Sequence, residues 1–600
     1  MKRKEYPRPQ FQRDNWTNLN GQWDFEFDDN DLGIREKWFV SENDFFTRTI
    51  EVPFVYQSQA SGINDRKVHD IVWYRRCFDY VKKDDKRLIV HFGAVDYEAQ
   101  IFLNGQLVAS HLGGNTPFEV DVTDALVEGV SQLLVVRAKD QHDDEEMPRG
   151  KQFWEKESRG IWYTNSTGIW QTVWLEEVSE NYIDRAYYHI DYDAGKVEIE
   201  AYLIGKKLLG KTFQYRVQYG DTLISEGHQK VLSHKVDVDV DVLQNHIFAT
   251  NFHDDGRSWT PENPNLFDVK LSLFDENDEV LDKVSSYFGF RKIHTQNGMI
   301  YLNNKPFYQK LVLDQGYWPS GLLTAPDDRD FVKDIELSKK MGFNGCRKHQ
   351  KTEDPRFLYW ADVLGFVVWG ECAAPPLYTR TSVNRLMREW SEIVERDYNH
   401  PSLLTWVPIN ESWGVPNISH DRQEQHFSQA IYHYLRSIDK SRLVISNDGW
   451  AATETDIVAI HNYMHGQKGE KAKYDYYKET LSSRENLLGR PSTAWPIFAD
   501  GFSYQNQPIL LTEFGGIAYE VSNQEGWGYT KVNSEAEFLE DYERIMEALY
   551  ASKGLWGYCY TQITDVEQEI NGLLTYDRKA KCDLSKIKEI NDRFHVPNVE

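Results

Sequence analysis

The stretch Val407-Pro-Ile-Asn-Glu-Ser-Trp413 ends a short apolar run with a carboxylate, and Ile509-Leu-Leu-Thr-Glu-Phe-Gly-Gly516 does the same further along the chain. Glu411 and Glu513 therefore stand where buried strands would reach the surface. From Arg291 onward, apolar strand-like runs alternate with helical segments. Eight such alternations favour a (β/α)8 TIM barrel, with a doubly wound open sheet as the alternative.

The candidate strands of this region are short and apolar. They cover residues 307–313, 342–347, 366–369, 404–409, 443–446, 457–460, 509–512 and 555–560. Helical segments between them include residues 327–340, 391–399 and 534–549. The active site of such a barrel lies at the C-terminal ends of its strands. Glu411 would end the fourth strand and Glu513 the seventh, so both are predicted at the barrel mouth.

The first half of the chain reads as β-structure. Strand-like runs cover residues 72–78, 87–92, 98–103, 132–137 and 168–175, and Asn104-Gly105 is a strong hairpin-turn signal. This pattern predicts an N-terminal jelly-roll β-sandwich over residues 1–180. Residues 196–202 and 235–242 alternate apolar and polar side chains, which predicts an immunoglobulin-like β-sandwich over residues 181–291. The barrel would then occupy residues 292–600.

The composition limits the possible partners. The chain has 94 acidic residues against 68 Lys and Arg, a formal net charge of −26. This balance argues against nucleic acid and anionic membranes, and it favours a neutral substrate, although a local basic pocket could still hold an acid. Five cysteines without C-x-x-C spacing indicate free thiols in a reducing compartment. Because we find neither a signal segment nor a membrane span, we expect a cytoplasmic protein.

The paired glutamates suggest a chemistry. Two carboxyls about 5 Å apart are what a retaining glycosidase uses. Glu513 would attack the anomeric carbon, while Glu411 would protonate the leaving oxygen and later deprotonate water. The two groups need opposite protonation states, and the negative charge on Glu513 would help Glu411 to keep its proton. Asn410 could bind the sugar 2-hydroxyl. The alternative is a pair of ordinary surface glutamates in an acidic chain.

Other polar and aromatic residues converge on the predicted strand ends. The candidates for substrate binding are Asp314, Arg347, His349, Glu371, His461, Tyr463, Trp413 and Tyr560. Arg347 could keep a carboxylate ionised, although an ion-pair strut is the alternative, and Glu371 is as suited to support a neighbour as to bind sugar. Trp413 and Tyr560 could be sugar platforms or simply packing. Neither metal-ligand spacing nor a phosphate-binding loop is present, so we expect no metal and no cofactor.

These motifs resemble those of glycoside hydrolase family 2, which contains β-galactosidases, β-glucuronidases and β-mannosidases. Asn410-Glu411 matches its acid/base signature and Thr512-Glu513-Phe-Gly515 its nucleophile signature. Further similar segments are Trp16-Thr-Asn-Leu-Asn-Gly-Gln-Trp23, Trp73-Tyr-Arg-Arg76, Leu103-Asn-Gly105, Thr167-Gly-Ile-Trp170, Trp259-Thr-Pro-Glu-Asn-Pro264, Phe288-Gly-Phe-Arg291 and Leu302-Asn-Asn-Lys-Pro306. The resemblance implies the same three-domain fold and assigns acid/base to Glu411 and nucleophile to Glu513. It also places Tyr463 beside the nucleophile and Tyr560 under the sugar.

Departures from the family pattern bear on the substrate. Arg347-Lys-His349-Gln350 stands where the family often has Arg-x-Ser-His-Tyr-Pro, and Leu313-Asp314 where it often has Arg-His. Glu569-Ile-Asn571-Gly-Leu573 lacks the Lys of the glucuronidase Asn-x-Lys pair, which disfavours a glucuronide. We therefore expect an exo-acting retaining β-glycosidase of β-galactosidase character, with a homo-oligomer and a monomer both left open.

Several alternatives stay open. One is another glycone: α-L-arabinopyranoside, β-glucoside, β-mannoside or β-glucuronide. The others are a transglycosylase, a non-catalytic carbohydrate-binding protein, and an unrelated barrel lyase or isomerase.

Overall fold

The structure is a computed structural model that describes residues 2–40, 44–242, 256–490, 492–521 and 526–593. The final residues of the predicted barrel, 594–600, lie outside this described part. The chain forms two β-sandwiches followed by a (β/α)8 barrel, as the sequence predicts.

The N-terminal sandwich packs a four-stranded sheet on a six-stranded sheet. In sheet order, the first consists of Trp16–Asn18, Val173–Ser179, Lys86–Phe92 and Phe118–Asp121. The second consists of Arg48–Val52, Gly21–Phe27, Ile71–Phe78, Gln132–Lys139, Glu98–Leu103 and Gln106–Leu112. Leu103 pairs with Gln106, and Asn104 and Gly105 have φ angles of 49° and 82°. The predicted hairpin turn is therefore confirmed.

The predicted strand over residues 168–175 is wrong, because the structure divides it into two pieces. Gly168–Ile169 pairs with Val95–Asp96, and a new strand starts only at Val173. Between them Trp170 leaves the ladder, since its ring is buried and its Nε1 donates to the Gly114 carbonyl at 2.8 Å. Burial of the indole thus takes precedence over continuation of the strand.

The middle sandwich also has two sheets. The three-stranded sheet contains Tyr182–Asp191, Lys196–Ile204 and Lys235–Asp241, and the four-stranded sheet contains Thr222–Lys230, Thr212–Tyr219, Phe267–Phe274 and Val280–Phe288. In Lys235–Asp241 the side chains of Val236 and Val240 are buried while the aspartates are exposed, as their alternation predicts. Three short strands, Ile293–Gln296, Met299–Leu302 and Lys305–Pro306, then lead into the barrel.

The barrel sheet has eight parallel strands in the order β5-β4-β3-β2-β1-β8-β7-β6. Their bounds are β1 Gln309–Asp314, β2 Gly345–Lys348, β3 Val367–Glu371, β4 Leu403–Val407, β5 Leu443–Val444, β6 Val458–Asn462, β7 Ile509–Gly515 and β8 Leu555–Thr561. Asp456 links the two end strands, because its N–H donates to the Val444 carbonyl and its carboxylate accepts from the Val444 N–H. A further pair, Ile517–Tyr519 with Thr530–Val532, lies outside the barrel sheet.

Helices surround this sheet. They are α1 Asp328–Lys340, α2 Pro355–Leu364, α3 Arg380–Asp397, α4 Arg422–Ile438, α5 Lys471–Leu481, α6 Arg484–Gly489, α7 Glu535–Tyr550 and α8 Leu584–Asn591. All except α5 follow an Asp, Ser or Thr whose side chain accepts a backbone N–H of the first turn. β2 starts later than predicted, since Gly342 belongs to the end of α1, where its N–H donates to the Lys339 carbonyl.

Successive side chains of a barrel strand pack into two different apolar cores, one inside the barrel and one between the strands and the helices. This alternation influences which side chains reach the barrel mouth. Leu311 and Leu313 of β1 pack inside the barrel, whereas Val312 packs between the strands and the helices. Successive residues of a strand point to opposite faces. In a regular strand, a polar residue near the end therefore enters the mouth only if its position has the inward parity. Strand β7 departs from this rule, because its register is irregular between Leu511 and Phe514, around Glu513.

A buried ion-pair network joins the two sandwiches. Arg13 donates to Glu176 of the N-terminal sandwich at 2.7 Å and to Asp282 of the middle sandwich at 2.9 and 3.1 Å. All three side chains are buried. Loss of the cation would leave two buried carboxylates short of a partner.

We expect Arg13→Leu to destabilise the pair of sandwiches by about 3 kcal/mol, because an uncompensated buried charge remains. Differential scanning calorimetry should show an earlier unfolding transition. The control is Arg35→Leu, whose side chain is 74% exposed and lies 3.5 Å from Glu36. Equal transition temperatures for Arg13→Leu and the wild type would contradict a structural role for the network.

Candidate active site

The backbone at the end of β4 turns sharply to present Glu411. Glu411 and Ser412 both have left-handed φ angles, 48° and 60°, which non-glycine residues rarely adopt. The segment after β5 holds them there: the Glu411 N–H donates to the Asp448 carbonyl and the Ser412 N–H to Asn447 Oδ1, both at 2.9 Å. This fixed turn aims the Glu411 carboxylate into the mouth, where its side chain is 22% exposed.

Glu513 lies in β7 and its side chain is 8% exposed. Two residues later Gly515 has a φ angle of 84°, and a Cβ built there would lie 2.2 Å from the Tyr560 ring. Only glycine fits this contact. The Tyr560 ring thus packs against the backbone that carries Glu513.

The two glutamates face each other across the mouth. Carboxylate oxygens of Glu411 and Glu513 and a ring nitrogen of His461 all lie within 4.8 Å of one another. Carboxyl groups in retaining glycosidases are about 5–5.5 Å apart, whereas inverting enzymes keep them about 6.5–9.5 Å apart to admit a water. The observed separation fits direct attack by one carboxylate.

Arg347 at the end of β2 organises one side of the site. Its Nη1 donates to Glu513 at 3.1 Å, its Nη2 donates to Asn410 Oδ1 at 2.5 Å, and its Nε donates to Glu371. The side chain is fully buried. Because Asn410 accepts from Arg347, its amide nitrogen is turned the other way. That nitrogen has no hydrogen-bond partner among the described residues, which leaves an N–H free for a substrate hydroxyl.

Tyr463 completes the surroundings of Glu513. Its hydroxyl donates to Glu513 Oε2 at 2.8 Å, and its ring stacks on Tyr529 at 3.5 Å with an interplanar angle of 5°. Both oxygens of Glu513 therefore have a donor, one from Arg347 and one from Tyr463. These contacts hold the carboxylate still and stabilise its charge.

His461 lies between two carboxylates. Its Nδ1 is 2.7 Å from Glu411 Oε1, and its Nε2 is 2.7 Å from Asp448 Oδ1. Burial alone would lower the pKa of His461, but the charge of Glu513 and the contacts with Asp448 and Glu411 raise it to about 10. Burial alone would raise the pKa of Asp448, but the charge of Arg347 lowers it to about 2. Burial alone would also raise the pKa of Glu411, but the hydrogen bond with His461 lowers it below its usual value.

His349 and Glu371 contact Arg347 on its other side. The pKa of His349 is held well below its usual value by burial, then by Lys151 and Arg347, so its imidazole is neutral. Glu371 accepts from Arg347 and from the Gln350 N–H at 2.8 Å. Both of its oxygens are thus engaged within the protein, and Glu371 supports Arg347 rather than facing a ligand.

Asp314 and Tyr560 do not point into the mouth, contrary to expectation. Asp314 has the outward parity of β1 and forms a buried ion pair with Lys348 at 2.6 Å. Tyr560 has the outward parity of β8, and its ring packs against Phe514 and Tyr542 in the layer between strands and helices. Both residues do lie near strand ends, as predicted. A shift of one residue along a strand, however, turns the side chain to the opposite face of the sheet.

Several residues of the site were missed in the sequence. Asp448 follows β5 in a segment without a recognisable motif. Tyr163 belongs to the N-terminal sandwich, and its hydroxyl donates to the buried Glu569 at 2.5 Å. The sandwich loop of residues 140–167 thereby contacts the segment that follows β8. The sequence gives no signal for such a contact between distant domains.

Lys151 of the same loop lies against the barrel, since its Nζ is 5.3 Å from the centroid of the Trp413 ring. The side chain is 8% exposed and has no ion pair among the described residues. Burial lowers the pKa of His349, and the charge of Lys151 lowers it further. Burial raises the pKa of Glu569, and Lys151 opposes this rise.

Glu411, His461 and Glu513 are the one group in the described ranges with the spacing of a metal site. Both ring nitrogens of His461 are already hydrogen-bonded, one to Glu411 and the other to Asp448. The guanidinium of Arg347 would further oppose a cation here. That the protein needs no metal stays a prediction.

Family models cover nearly the whole chain. Residues 16–176 match "Glycosyl hydrolases family 2, sugar binding domain", residues 181–291 match "Glycosyl hydrolases family 2", and residues 293–596 match "Glycosyl hydrolases family 2, TIM barrel domain". Because the barrel match alone extends over half of the chain, this protein belongs to glycoside hydrolase family 2.

Known relatives are distant. A β-galactosidase of Thermoanaerobacter pseudethanolicus is 26% identical over 434 residues, which cover 71% of this chain and 54% of that protein. A β-galactosidase of Leuconostoc mesenteroides is 26% identical over 649 residues, which cover 96% of this chain and 56% of that protein. The chain thus spans about half the length of these relatives. The structure of Bifidobacterium dentium β-glucuronidase complexed with coumarin-3-O-glucuronide has a TM-score of 0.78 at 20% identity, covering 98% of both chains. At this sequence identity, the similarity shows that the two chains share the fold.

Within the described ranges, helices long and apolar enough to cross a membrane are absent.

We expect the imidazole of His461 to titrate near pH 10 in the folded protein, against about 6.5 in an unfolded chain. Its raised pKa contributes stability that is fully present below about pH 6.5 and is lost as the pH rises through about 10. NMR of ring-labelled histidines measures the titration, and the signal missing from His461→Asn identifies the residue. A midpoint near 6.5 would contradict the charged bridge between Glu411 and Asp448.

Proposed function

We propose that this protein is a retaining exo-β-glycosidase that removes a terminal glycone by double displacement. The observation that carries the proposal is the separation of the Glu411 and Glu513 carboxylates, within 4.8 Å at the mouth of the barrel. Glu513 is held by Arg347 and Tyr463, as suits a nucleophile. Glu411 is more exposed and hydrogen-bonded to His461, as suits a group that exchanges protons.

In the first step an oxygen of Glu513 forms a bond to the anomeric carbon while the bond to the leaving oxygen breaks. The leaving oxygen takes its proton from Glu411. In the second step a water oxygen attacks the same carbon and loses a proton to Glu411, and the ester to Glu513 breaks. Each displacement inverts the anomeric centre, so the product retains the configuration. The free N–H of Asn410 would donate to the 2-hydroxyl during both steps.

His461 supplies the proton that the acid needs. In the resting site the proton belongs to the imidazole and Glu411 is ionised, yet the two atoms are only 2.7 Å apart. Movement of the proton along this hydrogen bond loads Glu411 without any change in net charge. Asp448, 2.7 Å from the other ring nitrogen, keeps the ring oriented for this transfer.

We propose a neutral glycone, with a β-galactoside as the first candidate. The lysine of the family's glucuronidase pair is absent, and the comparable stretch instead places the buried carboxyl of Glu569 beside Asn571 at 3.0 Å. Glu569 Oε1 accepts from Asn571 and Oε2 accepts from Tyr163, so this carboxyl supports its neighbours and offers no cation to a uronate.

The decisive test is hydrolysis of 4-nitrophenyl glycosides by wild type and Glu513→Gln, with β-galactoside, α-L-arabinopyranoside, β-glucoside, β-mannoside and β-glucuronide as substrates. We expect one neutral glycoside to dominate and the variant to lose about 10³-fold or more in kcat, because the covalent step is removed. Folding of the variant is checked by circular dichroism. Near-normal turnover by Glu513→Gln would refute the nucleophile and favour a different use of the site.

A second candidate, an acidic glycone, is favoured by Lys151, whose ammonium is 5.3 Å from the Trp413 ring and has no ion pair among the described residues. If Lys151 binds a uronate carboxylate, Lys151→Met should lower kcat/KM on β-glucuronide about a hundredfold, since truncation of a buried charge pair costs about 2–5 kcal/mol. Lys151→Arg, which keeps the charge, is the control. A wild-type rate on the uronide below a hundredth of that on β-galactoside would exclude this candidate.

A further inference from the structure

A cavity of about 300 Å³ lies where the two sandwiches and the barrel meet. The N-terminal sandwich lines it with His91, Gln171 and Trp174, the middle sandwich with Tyr187, and helix α3 of the barrel with Arg396. None of the described residues that line it belongs to the candidate active site. Its volume reaches the lower end of the range of small-molecule pockets, about 300–1,000 Å³.

Several buried polar atoms of the lining residues have no hydrogen-bond partner within the described ranges. They are Gln171 Nε2, Arg396 Nη1, Arg8 Nε and Gln10 Oε1. Gln171 is 3% exposed and Gln10 is 4% exposed, and the Arg396 side chain is 7% exposed. Burial of an unpartnered polar group costs free energy, so a cavity lined by such groups favours a ligand that bonds to them.

The unpartnered atoms indicate the chemistry of the ligand. Three of these four atoms are donor nitrogens that need an acceptor oxygen, whereas Gln10 Oε1 needs a donor. Carboxylates outnumber guanidinium groups along the wall of the cavity, which disfavours an anion. A hydroxyl group both donates and accepts without carrying charge, so an uncharged ligand with several hydroxyls fits best.

The cavity also offers an aromatic wall. The Trp174 ring stacks on His91 at 4.7 Å with an interplanar angle of 9°, and its Nε1 donates to Glu176 at 2.9 Å. Phe11, Phe118 and Tyr187 line the same cavity. The apolar face of a pyranose packs on such rings, while its hydroxyls turn to the polar atoms.

Hydrogen bonds between and within the domains fix the walls. Asn399 of the barrel donates to the Ala186 carbonyl at 2.8 Å and accepts from the Tyr188 N–H at 3.0 Å, so it joins the barrel to the middle sandwich. Arg396 donates through Nε and Nη2 to Asp397, both at 2.7 Å. The cavity is therefore preformed, which lowers the entropic cost of binding.

We propose that this cavity is a second, non-catalytic site that binds a free pyranose. The proposal is independent of the glycosidase function, because it uses none of the groups assigned to catalysis. A sugar in the cavity would contact all three domains. Since a ligand that binds only the folded arrangement stabilises it, the bound sugar would hold the sandwiches and the barrel together.

Labelling with 5-fluorotryptophan separates the two sites, because Trp174 reports on this cavity and Trp413 lines the cleft at Glu411. Loss of a ¹⁹F resonance in Trp174→Phe or Trp413→Phe assigns each signal. We expect D-glucose or D-galactose to shift the Trp174 resonance in a saturable way. Inorganic phosphate, the anionic probe, should leave that resonance in place.

Gln171→Leu keeps the size of the side chain but removes the unpartnered N–H. We expect the Kd from the Trp174 titration to rise about fivefold, the effect of one neutral hydrogen bond. The matched control is Gln106→Leu, the same substitution at an exposed position of the same sandwich, which should bind as the wild type does. Unchanged resonances of the other tryptophans show that the variants are folded.

A Trp174 resonance that neither sugar moves would overturn the site, and so would an unchanged Kd in Gln171→Leu. A response to phosphate equal to or larger than that to sugar would overturn the ligand class. Failure of the proposed glycosidase function looks different, because it would abolish Glu513-dependent hydrolysis and leave the Trp174 titration as it is.

Discussion

The site depends on the buried guanidinium of Arg347, which lies among several acids. Arg347 has no exposed surface, and its guanidinium contacts Glu371, Glu513 and Asn410 at once. A guanidinium stays protonated at any physiological pH, so this charge is permanent. It fixes one oxygen of Glu513 through a hydrogen bond and, because it engages Asn410 Oδ1, turns the free N–H of Asn410 away from itself. The Arg347 charge also lowers the pKa of Asp448, which in turn holds the His461 ring.

Much of this arrangement can be predicted from the sequence. The positions of Glu411 and Glu513 after short apolar runs were enough to place both at strand ends, because barrel strands are buried on both faces and read as continuous apolar segments. Arg347, Tyr463 and His461 follow the same logic and do meet at the mouth. The hairpin at Asn104-Gly105 and the period-two strand at 235–242 were equally clear, since turn chemistry and alternation are local properties.

Two physical causes explain why some site residues could not be placed from the sequence. Asp314 and Tyr560 were assigned to the mouth, yet they point outward, because the face of a strand residue depends on parity and a shift of one residue reverses it. Lys151, Tyr163 and Glu569 were missed for another reason. Their meeting requires a sandwich loop to dock on the barrel, and contacts between residues about 400 positions apart leave no periodic pattern in the chain.

The docked loop brings residues of the sandwich to the barrel. In the proposed mechanism Glu411 and Glu513 of the barrel make and break the bonds. The sandwich supplies Lys151, whose Nζ is 5.3 Å from the Trp413 ring, and two tryptophans that line a cleft together with Glu411. A barrel without the sandwich would therefore lack one wall of that cleft.

The central claim is that Glu411 and Glu513 act by double displacement. The most direct measurement is proton NMR of the hydrolysis reaction, recorded before the released sugar mutarotates, with the best substrate of the glycoside panel. The account predicts that the anomer formed first has the same configuration as the substrate, because two inversions restore it. Release of the opposite anomer first would contradict it, since a single displacement by water would then carry the reaction and Glu513 would not be a nucleophile.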